Sequence, residues 1–530
     1  MVRIRIAQVS ALALGATLAL TGCSNGGGGG SGDDKVVSGG TMTIAIASDP
    51  GSLDPQRSVN GVNLLMSVFA YDTPVTLLNS GQLAPQVVSK WTGTGTSYTL
   101  TVRKGVTCSD GSPMDAKTVA ANINYVGNSK NGSGMNGVAV PDGTTAKADN
   151  AAGTVAVTLK SGAPFFMQNL AELPLVCSSA IGDRGSMKTS SVGSGPFVLD
   201  KVLPGDSYEY ALRKGYTWGP NGATTATAGL PSKVIFKLVK SSATTTNLLL
   251  SKQVNVAQLS GPDTKRLQAT HTFSSGGSII GLELTFNQAA GQATSDVAVR
   301  QALVADLDTA DLAKVSTGGL GTPANGLLTD PKICAGDTVT GNKPAFDTAK
   351  AGQMLDQAGW AMGSGGVRTK DGQPLAVSFV YNNETPADAA TAEYIQSKWK
   401  ALGVKVTLNG QTFEQQSAVV FGGKGTWGAT LIGLGVSNPA TLVPFFSGPV
   451  PTAGINYGAM NNKVYDQSVA AASGKAGTAG CDDWNKGESS LIKDSDITPL
   501  SVEPYLYWGN GAKFDVQARV LQPTSLRVLG

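Results

Sequence analysis

The side chains of this 530-residue chain that perform acid–base or nucleophilic chemistry are few and poorly spaced for it. His271 is the only histidine, so a Ser–His–Asp relay would have to use it. It falls in Ala269-Thr270-His271-Thr272-Phe273, which alternates like a strand and gives the imidazole a structural or surface place. Asp33-Asp34 and Asp482-Asp483 are sequence neighbours, so their carboxyls diverge and read as solvated charge rather than an acid–base pair. Gly205-Asp206-Ser207 precedes the alternation Tyr208, Tyr210, Leu212 and reads as a hairpin turn, not a hydrolase nucleophile. Gly318-Gly319-Leu320-Gly321 lacks the strand before and helix after that a dinucleotide site needs. No cysteine pair has the two-residue spacing of a metal knuckle. The expectation is a protein that is not an enzyme, with no metal and no cofactor.

Cysteine chemistry is the exception. Arg3 and Arg5 precede an apolar run from Ile6 to Leu20, which ends in Leu20-Thr21-Gly22-Cys23. A basic start and about 15 apolar residues fit an export signal, since a membrane span needs roughly 20. A small residue before Cys23 resembles the bacterial lipobox, which implies cleavage after residue 22 and acylation of Cys23; two or more acyl chains make a stable anchor. Residues 24–35 read SNGGGGGSGDDK and have nothing to bury, so residues 23–38 are expected to be a lipidated tether.

Export favours oxidation of Cys108, Cys177, Cys334 and Cys481 to disulfides. Three connectivities are open. Pairing Cys108 with Cys177 and Cys334 with Cys481 closes each loop within one half of the chain, leaves the halves free to move, and is the one expected.

Removing Arg3 and Arg5 leaves 38 basic against 37 acidic residues, so the mature chain is nearly neutral and carries no basic footprint for nucleic acid. About 500 residues exceed what one core usually serves and predict two lobes. Glycine, at 68 residues, predicts many turns. Strands and helices interleave. Met42, Ile44 and Ile46 alternate, as do Tyr98, Leu100 and Val102. Asp115 is placed to cap a helix with Val119, Ile123 and Val126 on one stripe, and Asp347 to cap one with Ala351, Met354, Leu355 and Ala358, stopped by Gly359. Ile395, Trp399 and Leu402 form a third stripe; Gly403 ends it and Val404, Val406 and Leu408 alternate after it.

These blocks carry a family resemblance. GGTMTIAIASDPGSLDPQ at 39–56, Tyr71-Asp72-Thr73-Pro74, Leu83-Ala84-Pro85-Gln86, Trp91 and YTLTVRKGVTCSDGSPMDA at 98–116 follow the order of the peptide-binding class of ABC-transporter solute-binding proteins, family 5. Gly193-Ser194-Gly195-Pro196-Phe197, Phe286-Asn287, the helix Asp296 to Leu303 and Asp347 through Trp360 continue it. The resemblance implies an α/β, two-lobed periplasmic-binding-protein-like fold (type II, with an extra subdomain in the first lobe). It places lobe I at 39–280 with an insert near 60–190, lobe II at 281–490, and a return to lobe I at 491–530.

What the resemblance implies for function is a substrate-binding lipoprotein on the extracytoplasmic face of the membrane. It would be a monomer that takes a peptide between hinged lobes and delivers it to ABC permease subunits with their cytoplasmic ATPase. A non-peptide solute such as an oligosaccharide, or a signalling receptor or adhesin of the same fold, is the alternative. Alignment to cleft-facing segments nominates Ser48, Ser52, Leu53, Ser194, Asn287, Tyr381, Asn382, Trp427 and Gly435 as ligand-binding positions. Dipeptide binders pair the ligand's amine with an aspartate of lobe II; here that stretch is Gly433-Leu434-Gly435-Val436-Ser437-Asn438-Pro439 and holds no carboxylate. An α-amine therefore needs another anchor.

Overall fold

A computed structural model describes residues 35–57, 61–261 and 263–530. Cys23, its signal and most of the expected tether lie outside these residues. The tether expectation ends too late, because Val36–Val37 is a strand paired to Arg527–Leu529 (Val36 opposite Leu529).

The first lobe is organised by a mixed sheet. Its order is Phe273–Ile280, Ser501–Gly509, Val256–Leu259, Thr41–Ile46, Lys233–Leu238, Ser207–Leu212 and Phe197–Leu203. Thr41–Ile46 sits mid-sheet between two parallel neighbours. Its Met42 and Ile44 are fully buried and Ala45 is nearly so, the signature of a strand covered on both faces. The turn at Gly205-Asp206 joins two antiparallel strands, with Gly205 at φ +75°.

The inserted subdomain is a four-stranded antiparallel sheet ordered Val88–Thr94, Ser97–Val102, Thr154–Thr158, Thr145–Asp149. The helix Ala116–Val126 covers it, capped by Asp115 accepting from the Thr118 N–H at 2.9 Å. Val119, Ile123 and Val126 are fully buried beneath it, which is the expected stripe. Cys108 is bonded to Cys177 within this subdomain, with Cα atoms 6.2 Å apart.

The second lobe holds a five-stranded sheet ordered Lys405–Gln411, Ala376–Asn382, Ala429–Ile432, Glu283–Phe286, Ile497–Pro499. Helices Val297–Ala305, Thr348–Gln357 and Pro386–Ala401 bury Leu303, Leu355 and Trp399 in its core. Asp347 caps the second of these at 2.9 Å from the Lys350 N–H, and Gly359 follows with φ +86°. Cys334 is bonded to Cys481, Cα atoms 5.0 Å apart, within this lobe.

Two adjacent crossings join the lobes. Ile280 pairs with Val502 in the first sheet and Glu283 with Pro499 in the second, so an antiparallel ribbon runs from one sheet into the other. Between them the Gly281 N–H donates to Ser501 O at 3.1 Å and the Leu500 N–H to Leu282 O at 2.9 Å. The chain thus returns to the first lobe at about residue 500 rather than 491, because Ile497–Pro499 still completes the second sheet.

His271 departs from its expected strand. The helix Thr264–Ala269 precedes it, and His271 is an exposed turn residue with φ +52° whose N–H donates to Gln268 O. The alternation across 269–273 was too short to outweigh that helix.

Candidate ligand-binding site

A cavity of about 490 Å³ lies between the lobes, walled by the first sheet, the inserted subdomain and the loop 435–438 of the second lobe. That volume suits a ligand of drug-like size, for which pockets run about 300–1,000 Å³.

One wall is set by Asp72, which follows the helix Gly61–Ala70. Its carboxylate is buried and accepts from Gln86 Nε2 (2.6 Å), Tyr216 OH (2.9 Å), Ser194 Oγ (2.8 Å) and Trp218 Nε1 (2.8 Å). Burial pushes this carboxyl up and the four donors pull against it. Four donors consume its acceptor capacity, so Asp72 is a scaffold for the wall rather than a contact held open for solute. Its own carbonyl accepts from the Leu175 N–H at 2.8 Å, while Gln56 Nε2 holds Pro174 O at 2.6 Å. The short turn Leu170–Glu172 is thereby fixed against the wall, and Glu172 lines the cavity. Its carboxylate has no hydrogen bond or ion pair among the described residues. Its side chain is exposed to the cleft; crowding by the surrounding walls pushes its carboxyl up, with the Arg519 guanidinium acting in the opposite sense.

Arg519 enters from a two-residue hairpin between Val516–Gln517 and Val520–Leu521. Its Nη2 lies 3.4 Å from Ser437 Oγ, its guanidinium stands 5.9 Å from the Tyr505 ring centre, and its Nε is buried with no hydrogen-bond partner.

The second lobe contributes its loop through backbone bonds. Thr329 N–H donates to Val436 O at 2.8 Å and Ile333 N–H to Ser437 O at 3.0 Å. Glu283, just past the crossing, accepts from the Leu434 N–H at 3.0 Å. Its carboxyl is pushed up to about 8 by complete burial, opposed by that N–H and reinforced by Glu488. Gly433 meets the crossing directly: a Cβ there would stand 2.5 Å from Gly281 O. Across the cleft, Asn438 Nδ2 donates to Asn169 Oδ1 at 3.2 Å, and the buried ring of Phe165 from the insert lies 6.1 Å from that of Trp484 in the second lobe.

Of the nine nominated ligand positions, Gly435 lines this cavity, at φ +62°. Ser194 stands one shell behind it through Asp72. The others are elsewhere. Leu53 is core, and Ser52 accepts from the Asp54 N–H in a loop tied by the Asp54–Arg184 ion pair at 3.1 Å. Ser48 is exposed on the same loop. Trp427 stacks on Tyr457 at 6.1 Å in the second-lobe core, and its carbonyl accepts from Asn287 Nδ2 at 3.0 Å. Tyr381 packs against the core, and Asn382 turns to Thr385 Oγ1 at 3.3 Å and the Glu384 N–H. Glu172, Arg519 and Tyr505 were missed. Arg519 and Glu172 gave no motif, only charge in otherwise apolar surroundings.

Residues 82–453 match the family described as bacterial extracellular solute-binding proteins, family 5, middle region. Among curated proteins, the chain is 28% identical over 385 residues to protein XP55 of Streptomyces lividans, spanning 71% of this chain and 67% of that one. It is 27% identical over 371 residues to the oligopeptide-binding protein OppA of Lactococcus lactis subsp. cremoris, spanning 61% of this chain and 59% of OppA. The ABC transporter substrate binding protein CtaP of Listeria monocytogenes has the same fold, with a TM-score of 0.77 at 19% identity, over 93% of this chain and all of that one.

Proposed function

We propose, given that the chain belongs to family 5 of the bacterial extracellular solute-binding proteins, that it captures peptides between its lobes and delivers them to an ABC permease while anchored outside the membrane through lipid on Cys23. The observation that carries the capture is the cavity of about 490 Å³ between two lobes whose sheets share an antiparallel ribbon, with Thr322–Pro323 paired alongside it. Such a joint lets ligand bias a population of open and closed forms, and the closed form is what a permease can recognise. The walls mix apolar side chains with a few fixed polar groups, the composition of a ligand site. Among the described residues no helix is long and apolar enough to cross a membrane; what supports the lipid anchor is the lipobox-like Leu20-Thr21-Gly22-Cys23 after its apolar run.

The reading is tested in two parts. Thermal melting against a panel of tripeptides and maltotriose should show stabilisation by peptides, about 2.7 kcal/mol at 100 times the dissociation constant; stabilisation by the sugar alone would replace peptides as the cargo. Metabolic labelling with palmitate should mark the wild type and not Cys23→Ser; equal labelling of both removes the anchor from the account.

A further inference from the structure

Asn79 does not line the cavity, yet it grips the hairpin that does. It lies in the turn between the paired strands Val75–Leu77 and Leu83–Pro85. Its N–H donates to Gln517 Oε1 (3.0 Å), its Nδ2 donates to Val516 O (2.9 Å), and its Oδ1 accepts the Ala518 N–H (2.8 Å). Both amide atoms of its side chain are thus committed to a segment distant in sequence.

That segment needs holding. Ala518 and Arg519 are the two turn residues of the hairpin, with φ +49° and +64°. A two-residue turn with both φ values positive favours Asn-Gly; an alanine and an arginine there each hold a left-handed backbone that their Cβ disfavours. Backbone strain of this kind persists only where the surroundings impose it, and it gathers at functional sites. The side chain aimed by the strained turn is Arg519.

The turn that carries Asn79 also stands at the boundary between the lobes. A Cβ on its Gly81 would lie 3.8 Å from Lys332 O and 3.9 Å from Ile333 Cα of the second lobe, and Leu77 shares a buried cluster with Ile333. Ile333 donates its N–H to Ser437 O at 3.0 Å, while Arg519 Nη2 meets Ser437 Oγ at 3.4 Å. The closing loop is therefore met on its carbonyl side by a segment that this turn touches, and on its hydroxyl side by a residue that Asn79 aims.

We propose that Asn79 is a positioning residue for solute capture: it holds Arg519 at Ser437, so that the hairpin 516–521 latches the loop 435–438 and slows the release of solute. This rests on capture between the lobes, as read above, and adds the latch to it.

Hydrogen exchange of the ligand-free protein reads the latch without any solute. The amides of Thr329 and Ile333, which hold Val436 O and Ser437 O, report the seat of the loop from within the second lobe. Asn79→Ala should speed their exchange by about 2- to 10-fold, the effect of one net hydrogen bond. Arg519→Gln should do the same, and adding Asn79→Ala to it should change nothing further, because both act through one contact. Asn79→Asp, which keeps the acceptor for Ala518 and loses the donor to Val516, should be intermediate and carries the test if Asn79→Ala does not fold. Ala518→Gly on the Asn79→Ala background should restore slow exchange, since glycine takes positive φ without support.

Unchanged exchange at Thr329 and Ile333 in the Asn79 variants, or additive effects of Asn79→Ala and Arg519→Gln, would overturn the proposal. Stopped-flow release of trileucine tests the consequence: it should be faster from Asn79→Ala than from the wild type, and equal rates would refute the latch. If trileucine does not bind the wild type, the peptide reading fails, while the exchange measurements still decide the role of Asn79.

Discussion

Asn438 in the second lobe donates to Asn169 in the inserted subdomain at 3.2 Å, so the loop that closes the cavity is hydrogen-bonded to its far wall. A bond of this kind contributes about 0.5–1.5 kcal/mol net. Asn169→Ala should therefore weaken ligand binding by about 2- to 10-fold, chiefly through faster dissociation, with little change in melting temperature of the ligand-free protein, and Asn438→Ala should do the same with an added loss of stability. Calorimetry and stopped-flow release measure both. Asn438 also caps its own turn by accepting from the Thr441 N–H, so Asn169→Ala, which leaves the cap intact, separates the closure effect from local fraying.

Glu283 gives a pH signature. Its carboxyl is raised to about 8 in the folded protein against an ordinary value of 4.5. The folded state thus holds a proton that the unfolded state releases between those values. Stability from this group is full below about pH 4.5 and is lost as pH rises through 8, at up to about 1.4 kcal/mol per pH unit within the window. Glu283→Gln mimics the protonated acid and can still accept the Leu434 N–H. Its melting temperature should match the wild type near pH 4 and exceed it at pH 8. A constant difference at both pH values would contradict the assignment.

Gly433 leaves no room for a side chain at the ribbon between the lobes, since a Cβ would lie 2.5 Å from Gly281 O, a backbone atom that cannot swing away. Gly433→Ala should destabilise by about 1–3 kcal/mol, the usual cost of overpacking, and lower ligand affinity because the displaced loop carries Gly435 to Asn438. Gly435→Ala meets nothing within 4 Å but must keep φ +62°. It should cost about 1 kcal/mol, near the difference between alanine and glycine in a left-handed conformation. Chemical denaturation of the two variants orders them.

The Cys108–Cys177 bridge closes a loop of 69 residues inside the insert. Replacing both with alanine should cost about 2–4 kcal/mol in denaturant unfolding and leave the affinity of the folded protein unchanged, because the bridge spans no hinge. A gain in affinity or an unaltered unfolding midpoint would count against this.

The elements were legible in the sequence where a cap and a stripe agreed. Asp115 with Val119, Ile123 and Val126, and Asp347 with Ala351 and Leu355, give helices whose caps and buried faces are the ones read. The site was not, for three physical reasons. Polar and aromatic side chains at strand ends and in the adjoining loops can satisfy themselves inside the fold, as Asn287 does on the Trp427 carbonyl and Trp427 on Tyr457. Glu172 sits on a single turn whose position is set by Asp72 and Gln56, residues about 100 positions earlier. Arg519 occupies a turn that its own type disfavours, so local propensity pointed away from the hairpin that Asn79 imposes.

The claim that solute is held in the inter-lobe cavity is tested most directly by native mass spectrometry of protein purified without denaturation, compared with Ser437→Trp, which fills the cavity from the second-lobe loop. The account predicts one peptide-mass adduct per chain in the wild type, released intact on denaturation and absent from the variant. An adduct retained by Ser437→Trp, or released in cleaved form, would contradict it.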